Sequence, residues 1–320
     1  MARKKGRPSE PLPPRDGLGA SRVRVPEGPG IRALDFLWHV VSTQRHRHPE
    51  DDLSAVKQRF DDSLVVLRDA TPVLADDWLA PGTDIFFYRR PAPEKPVPYS
   101  ITTVYEDDGI LVVDKPPFLA TMPRASHITE TATVRLRRST GNEELTPAHR
   151  LDRGTSGLLL LTKHRDVRGA YQDLFARREV DKVYEAIAPF TRVRLPAIWE
   201  HHLVKEHGDP AGAVVPDLEP NSRTVVSSVT RLSPDEEDSL VSLYEVDGPL
   251  GRYVLHPVTG RTHQLRLQMM AEAAPILGDT IYPNLLPAEA EDFSLPMRLR
   301  CTGLAFTDPL SGQPRSFSLV

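Results

Sequence analysis

Residues His149 to Lys163 read HRLDRGTSGLLLLTK, and the reading of this stretch decides the fold of the chain. Residues 157–162 contain four consecutive leucines, a run long enough for a buried strand and too short for a free-standing helix. Before it, Gly154, Thr155, Ser156 and Gly157 are residues that make tight turns. Before those sits one carboxylate, Asp152, flanked by Arg150 and Arg153, with His149 behind. An acid between two arginines is held in its charged form, and small residues beside it let a large ligand approach. Taken alone, the pattern fits a reactive carboxylate in a cleft and a surface Arg–Asp cluster at a strand entrance about equally.

Working outward, Val167, Ala170, Tyr171, Leu174 and Phe175 fall at i, i+3, i+4, i+7 and i+8, which predicts an amphipathic helix. Its end, Arg177 and Arg178, suits a helix C-terminus with or without an anionic partner. Strands are expected over Ile110 to Val113, Val183 to Ala188, Arg252 to His256, Arg298 to Phe306 and Ser316 to Val320, and a helix over Thr262 to Ala273. Thr133 to Arg138 is expected to be helical, its Arg135, Arg137 and Arg138 forming either a solvated face or a phosphate contact. The acidic run Asp235 to Asp238 reads as an exposed turn. Strands dominate and helices intervene irregularly, which argues an α+β fold around a mixed, mostly antiparallel sheet with flanking helices.

Toward the N-terminus, PAPEKPVP at residues 91–98 has the proline density of a stiff linker and places a domain boundary near residue 97. Residues 26–97 form a small N-terminal α/β extension: helices around Leu34 to Val41 and Val56 to Phe60, then strands at Leu64 to Leu67 and Ile85 to Tyr88. That order is distantly similar to a degenerate S4-like RNA-binding domain. Asp51, Asp52, Asp61 and Asp62 around the second helix depart from it. His46 and His48 have no further ligands nearby and read as a solvated loop, so no metal is expected. Residues 1–25, with Arg3, Lys4, Lys5, Arg7, Arg15, Arg22 and Arg24 among prolines, read as a disordered basic arm.

The chain has 320 residues, 39% of them hydrophobic, enough to bury a core in two domains. A single cysteine, Cys301, excludes a disulfide framework and suggests a reducing, cytoplasmic setting. No run approaches ~18 apolar residues, so no membrane span is expected. The net charge of −4 argues mildly against nucleic acid, but the basic residues cluster, and clustering is the better guide.

HRLD followed by a Thr-Ser-Gly turn and an apolar strand resembles the active-site motif of the RluA-type pseudouridine synthases. Lys182-Val183-Tyr184-Glu185-Ala186 resembles that family's K-x-Y-x-A strand, and PVTGRTHQLR at residues 257–266 its third motif. Pro275 to Asp279 with Tyr282 resembles the segment that closes it, and YEDDGILVVDKPP at residues 105–117 the entry strand and its D/N-K-P loop. Several separated motifs in order over roughly residues 100–320 make chance agreement very improbable.

The resemblance implies a pseudouridine synthase fold over residues 98–320, acting on RNA (23S rRNA, a tRNA anticodon stem-loop, or both) without cofactor or metal. It implies Asp152 as the catalytic nucleophile, Arg266 as its salt-bridge partner, and Tyr184 as the ring stacked on the flipped uracil that could also take the C5 proton. It implies that Arg150 fills the gap left by the extruded base, an extrusion that costs about a few kcal/mol. Arg153, Arg261, His263 and His149 are expected near the RNA. Oligomeric state is not legible. The H-R-D of protein kinases is excluded, because Leu151 intervenes and no Gly-rich phosphate loop or D-F-G is present. A glycosidase would need a second carboxylate in a comparable motif. The non-enzymatic alternative, an RNA-binding or RNA-folding protein on the same scaffold, is disfavoured by the joint presence of Asp152, Tyr184 and Arg266.

Overall fold

In the computed structural model, residues 11–319 are described; most of the basic cluster expected at the start of the chain lies outside them. The chain forms two compact units, Met1–Pro96 with Met122–Glu143, and Val97–Thr121 with Glu144–Val320. The span expected as one catalytic domain, 98–320, is therefore interrupted, and residues 122–143 pack with the N-terminal unit.

The first unit contains β1 (Ser21–Arg24), β2 (Ile31–Arg32), α1 (Ala33–Ser42), α2 (Leu53–Asp61), β3 (Val65–Val66), β4 (Trp78–Leu79), β5 (Asp84–Phe87) and, from the returning segment, α3 (Ala132–Thr140). Strand β5 lies between β1 and β3, antiparallel to both. Leu34, Leu37 and Val41 of α1 meet Val56 and Phe60 of α2 over Val65, Ile85 and Phe87. Helix α2 starts where the Asp52 side chain accepts the Ala55 amide at 2.9 Å, an N-cap that satisfies an otherwise orphaned donor. Asp51 is buried against Arg59 at 2.7 Å. Two of the aspartates that break the S4-like pattern thus build the helix.

Residues 21–24 correct the reading of a disordered arm. Val23 packs against the core while Arg22 and Arg24 project from the other face of β1 to Asp84. One valine between two arginines is too little for a period of two to be legible. The arginines of α3 are also committed to the chain itself. Arg135 pairs with Glu130, Arg137 donates to Gly17 O at 3.1 Å, and Arg138 to Asp16 O at 2.8 Å. Gly17 has φ +78°, and a Cβ there would lie 2.9 Å from Val134 O, so only glycine lets the N-terminal segment dock on α3.

The second unit contains β6 (Thr102–Glu106), β7 (Ile110–Lys115), β8 (Thr146–Pro147), β9 (Ser156–Thr162), α4 (Arg165–Ala176), β10 (Asp181–Pro189), β11 (Ala197–Val204), β12 (Ala213–Val215), β13 (Ser222–Arg231), α5 (Pro234–Tyr244), β14 (Leu250–Pro257), α6 (Gln264–Ala271), β15 (Leu299–Thr307) and β16 (Pro314–Ser318). The sheet runs β12-β11-β13-β14-β10-β15-β9-β7-β6, with β16 on β15 and β8 on β9. Its pairings are antiparallel except β9 with β15, so the sheet is mixed and mostly antiparallel as expected. Leu158 to Leu161 of β9 are wholly buried, which is why the run reads as continuous rather than alternating.

The acidic run 235–238 is helical, not a turn. Ser233 caps α5, Pro234 occupies its first turn, and Asp235, Glu236 and Glu237 sit at the positive end of the helix dipole. That N-terminal signature was present in the sequence.

Candidate active site

Asp152 sits in the connection between β8 and β9 and is held from both sides. Leu151 is clamped by Thr121, whose hydroxyl accepts the Leu151 amide at 3.1 Å and donates to its carbonyl at 2.7 Å. On the other side, the wholly buried Lys115 ammonium donates to Pro116 O at 2.8 Å, Leu119 O at 2.7 Å and Arg153 O at 3.4 Å. The D-K-P loop after β7 is thereby tied to the peptide beside the carboxylate. Burial pushes the Lys115 pKa down to about 7, against the opposing charge of Asp152.

His149 has a structural use. Its Nε2 accepts the Leu160 amide at 3.1 Å, and its ring stacks on Phe175 at 4.3 Å between centroids. Burial lowers its pKa to about 3, which keeps that nitrogen an acceptor. That nitrogen is committed to the core strand, while the residue still lines the pocket described below.

The glycine of the turn also serves the sheet. Gly157 has φ +105°, and a Cβ there would lie 2.2 Å from Cys301 O, where β9 and β15 approach in parallel. The small residue admits a strand, not a ligand.

Across the pocket stands the start of α6. Gln264 is buried, donating to Thr224 Oγ1 at 2.9 Å and accepting from Thr259 Oγ1 at 2.6 Å. Arg266, in the first turn of α6, is bound bidentately by Asp279, Nε to Oδ2 at 2.7 Å and Nη2 to Oδ1 at 2.6 Å. Its Nη1 lies 3.6 Å from Asp152 Oδ2. The floor is β10, whose pairing with β15 shifts register between Val183 and Tyr184; such a bulge re-aims a side chain.

These residues enclose a pocket of about 390 Å³, lined by Asp152 as its one carboxylate and by Arg150, Lys182, Arg261 and Arg266 as cations. Its chemistry suits a polyanion with one nucleophilic oxygen presented to it.

Residues 109–271 match the RNA pseudouridylate synthase family. The chain belongs to that family. It is 32% identical over 229 residues to the dual-specificity RNA pseudouridine synthase RluA of Pasteurella multocida, covering 69% of this chain and 93% of that protein. To the protein of the same description from Haemophilus influenzae it is 31% identical over 222 residues, covering 69% and 93%. Human RNA pseudouridylate synthase domain containing 1 superposes with a TM-score of 0.54 at 23% identity, over 69% of this chain and 83% of that one. The chain thus has the pseudouridine synthase fold, and the protein is an RNA pseudouridine synthase, an isomerase.

For this synthase the structure brings Asp152, Tyr184, Arg266, Arg150, Arg261, His263 and His149 to one pocket. Arg153 is directed elsewhere, to Glu291 at 2.8 Å and over the Phe118 ring at 5.9 Å, and does not line it. Among the described residues neither Arg150 nor Arg153 forms an ion pair with Asp152; its arginine partner comes from 114 positions later in the chain. Sequence reasoning assigned no site role to Lys115, Lys182, Asp279 or Tyr282. Each lay in a quoted motif, and a lysine or aspartate inside an apolar motif was the available signal.

Proposed function

We propose that this pocket isomerises uridines in structured RNA, of 23S rRNA, a tRNA anticodon stem-loop or both, in the cytoplasm. The observation that carries this reading is Asp152, alone among four cations and within 3.6 Å of an arginine that another carboxylate already holds. Both relatives described above bear the name dual-specificity RNA pseudouridine synthase, which supports extending the reading to more than one RNA.

A flipped uridine entering the pocket meets the Asp152 carboxylate, which bonds to the ribose carbon as the N1 to ribose bond breaks and the uracil leaves with that electron pair. The uracil turns, and C5 bonds to the ribose carbon, displacing the carboxylate. C5 gives up its proton, N1 gains one, and the carboxylate is released unchanged. Arg266 stabilises the carboxylate before and after. Tyr184 supplies a ring against the base. Burial, with Cys301 and Asp152 as neighbours, pushes its phenol well above the ordinary range, which supports stacking over proton abstraction. Arg150, exposed at the mouth, is suited to fill the vacated stack. Helices α1 and α2 followed by β3 support an S4-like, RNA-binding role for the N-terminal unit.

The test is to map pseudouridines in total RNA of a deletion strain and a strain restored with the wild-type chain. Loss of defined sites in rRNA or tRNA, regained on restoration, is expected. An unchanged map would overturn the reading.

A further inference from the structure

His263 begins α6 with φ +56°, a left-handed backbone uncommon for a residue with a side chain. Its ring spans two groups. Nε2 lies 4.0 Å from Asp152 Oδ2, and Nδ1 lies 2.9 Å from the Tyr282 hydroxyl. Tyr282 is 3% exposed, and its hydroxyl oxygen accepts the Gly212 amide at 2.7 Å. A backbone amide can only donate, so the hydroxyl hydrogen has to go elsewhere. Among the described residues, His263 Nδ1 is the acceptor within hydrogen-bond distance of it.

We infer that Tyr282 is a positioning residue that fixes His263 as an Nδ1 acceptor and Nε2–H donor facing Asp152. With Arg266 Nη1 at 3.6 Å from the same oxygen, both donors converge on Oδ2, and the other carboxylate oxygen is the one presented to the uridine. The opposite tautomer would leave the phenol hydrogen without its acceptor and aim a lone pair at the carboxylate, a mismatch on both sides of the ring. The chain from Gly212 through Tyr282 and His263 thus sets which oxygen of the nucleophile is free. Asp279 ties the two donors together. The carboxylate that grips Arg266 also accepts the amides of Ile281 and Tyr282, at 2.8 and 3.1 Å.

This inference rests on Asp152 being the nucleophile, but its primary test does not use turnover. Full-length protein labelled with 15N-histidine should show His263 with a protonated Nε2 and a bare Nδ1 near neutral pH. Tyr282→Phe, which keeps the ring and removes the hydroxyl, should shift that resonance pair toward the other tautomer. In turnover, Tyr282→Phe should lower kcat about 10-fold to 100-fold, the usual range for a residue that orients a site ligand, with KM for RNA nearly unchanged. In a His263→Ala background the same substitution should have no further effect on kcat. His263→Gln, which can place an amide N–H near the Nε2 position, should retain more activity than His263→Ala. A protonated Nδ1 in the wild type, an unaltered tautomer in Tyr282→Phe, or additive losses in the double variant would overturn the assignment. Turnover surviving in Asp152→Asn with the tautomer as stated would instead overturn the nucleophile reading alone.

Discussion

Two Arg–Asp clusters, one in each unit, have opposite stoichiometry. In the second unit one arginine serves two carboxylates. Arg266 is 6% exposed, locked to Asp279, and its remaining nitrogen stands 3.6 Å from Asp152. In the first unit one carboxylate serves three arginines. Asp84 is 6% exposed and meets Arg24 at 2.9 Å, Arg68 at 2.6 Å and Arg22 at 3.3 Å, each arginine more than half exposed. A carboxylate that shares its cation keeps an oxygen available for chemistry. One saturated by donors is an anchor for the strands around it. The same residue types therefore read as a reactive group in one place and a fastener in the other, and the count of partners decides which.

The largest expected effect separates the two carboxylates directly. Asp152→Asn should abolish tritium release from uridine-labelled RNA while RNA binding survives, because one ionisable oxygen is lost with little volume. Near wild-type turnover would show that Asp152 is another fastener.

Next in size is Arg266→Ala, which strands two carboxylates around a buried vacancy. A loss of roughly 3–5 kcal/mol of stability is expected alongside lost turnover, measured by urea unfolding. Arg266→Lys should recover only part of both, lacking the planar fork that Asp279 grips. An unchanged unfolding midpoint would mean that the shared cation is not needed by the fold.

Acid should affect the two units in different windows. His149 has its pKa lowered to about 3, so the unfolded chain binds its proton first, near the ordinary histidine value of about 6.5. The stability that its neutral form provides is complete above that value and falls as pH drops toward about 3. Asp84 is also lowered, by hydrogen bonds from Arg24 and Arg68, but its unfolded pKa is only about 3.9, so its contribution is lost only below that. Hydrogen exchange followed from pH 7 to about 4.5 should show β9 losing protection while β1 and β5 keep theirs, and His149→Gln should reduce the difference. Equal loss in both units would break the comparison.

The smallest effect should come from Asp84→Asn. Exposed arginine contacts contribute about 0–1 kcal/mol each, so stability should fall modestly and kcat should not move. A change in kcat would show that this cluster is no mere anchor.

From the sequence alone, the apolar run of β9, the amphipathic spacing of α4 and the turn ahead of them were legible, because burial periodicity is a local property. A candidate nucleophile was legible too, since one carboxylate stood in a motif whose companions followed in order. Partnership was not legible. Asp152 has arginines on either side in the chain, yet its arginine contact is Arg266, because Arg153 is held by Glu291, Arg150 lines the pocket without pairing with it, and α6 arrives from across the pocket. Gly157 was read as room for a ligand and is room for β15, and the strand amide that His149 accepts was not legible. Arg137 and Arg138 were open to a phosphate role and hold the carbonyls of Gly17 and Asp16. Local pattern determines which segments are helix, strand and turn; which charge answers which is set by contacts between residues far apart in the chain, and only the tertiary structure decided those.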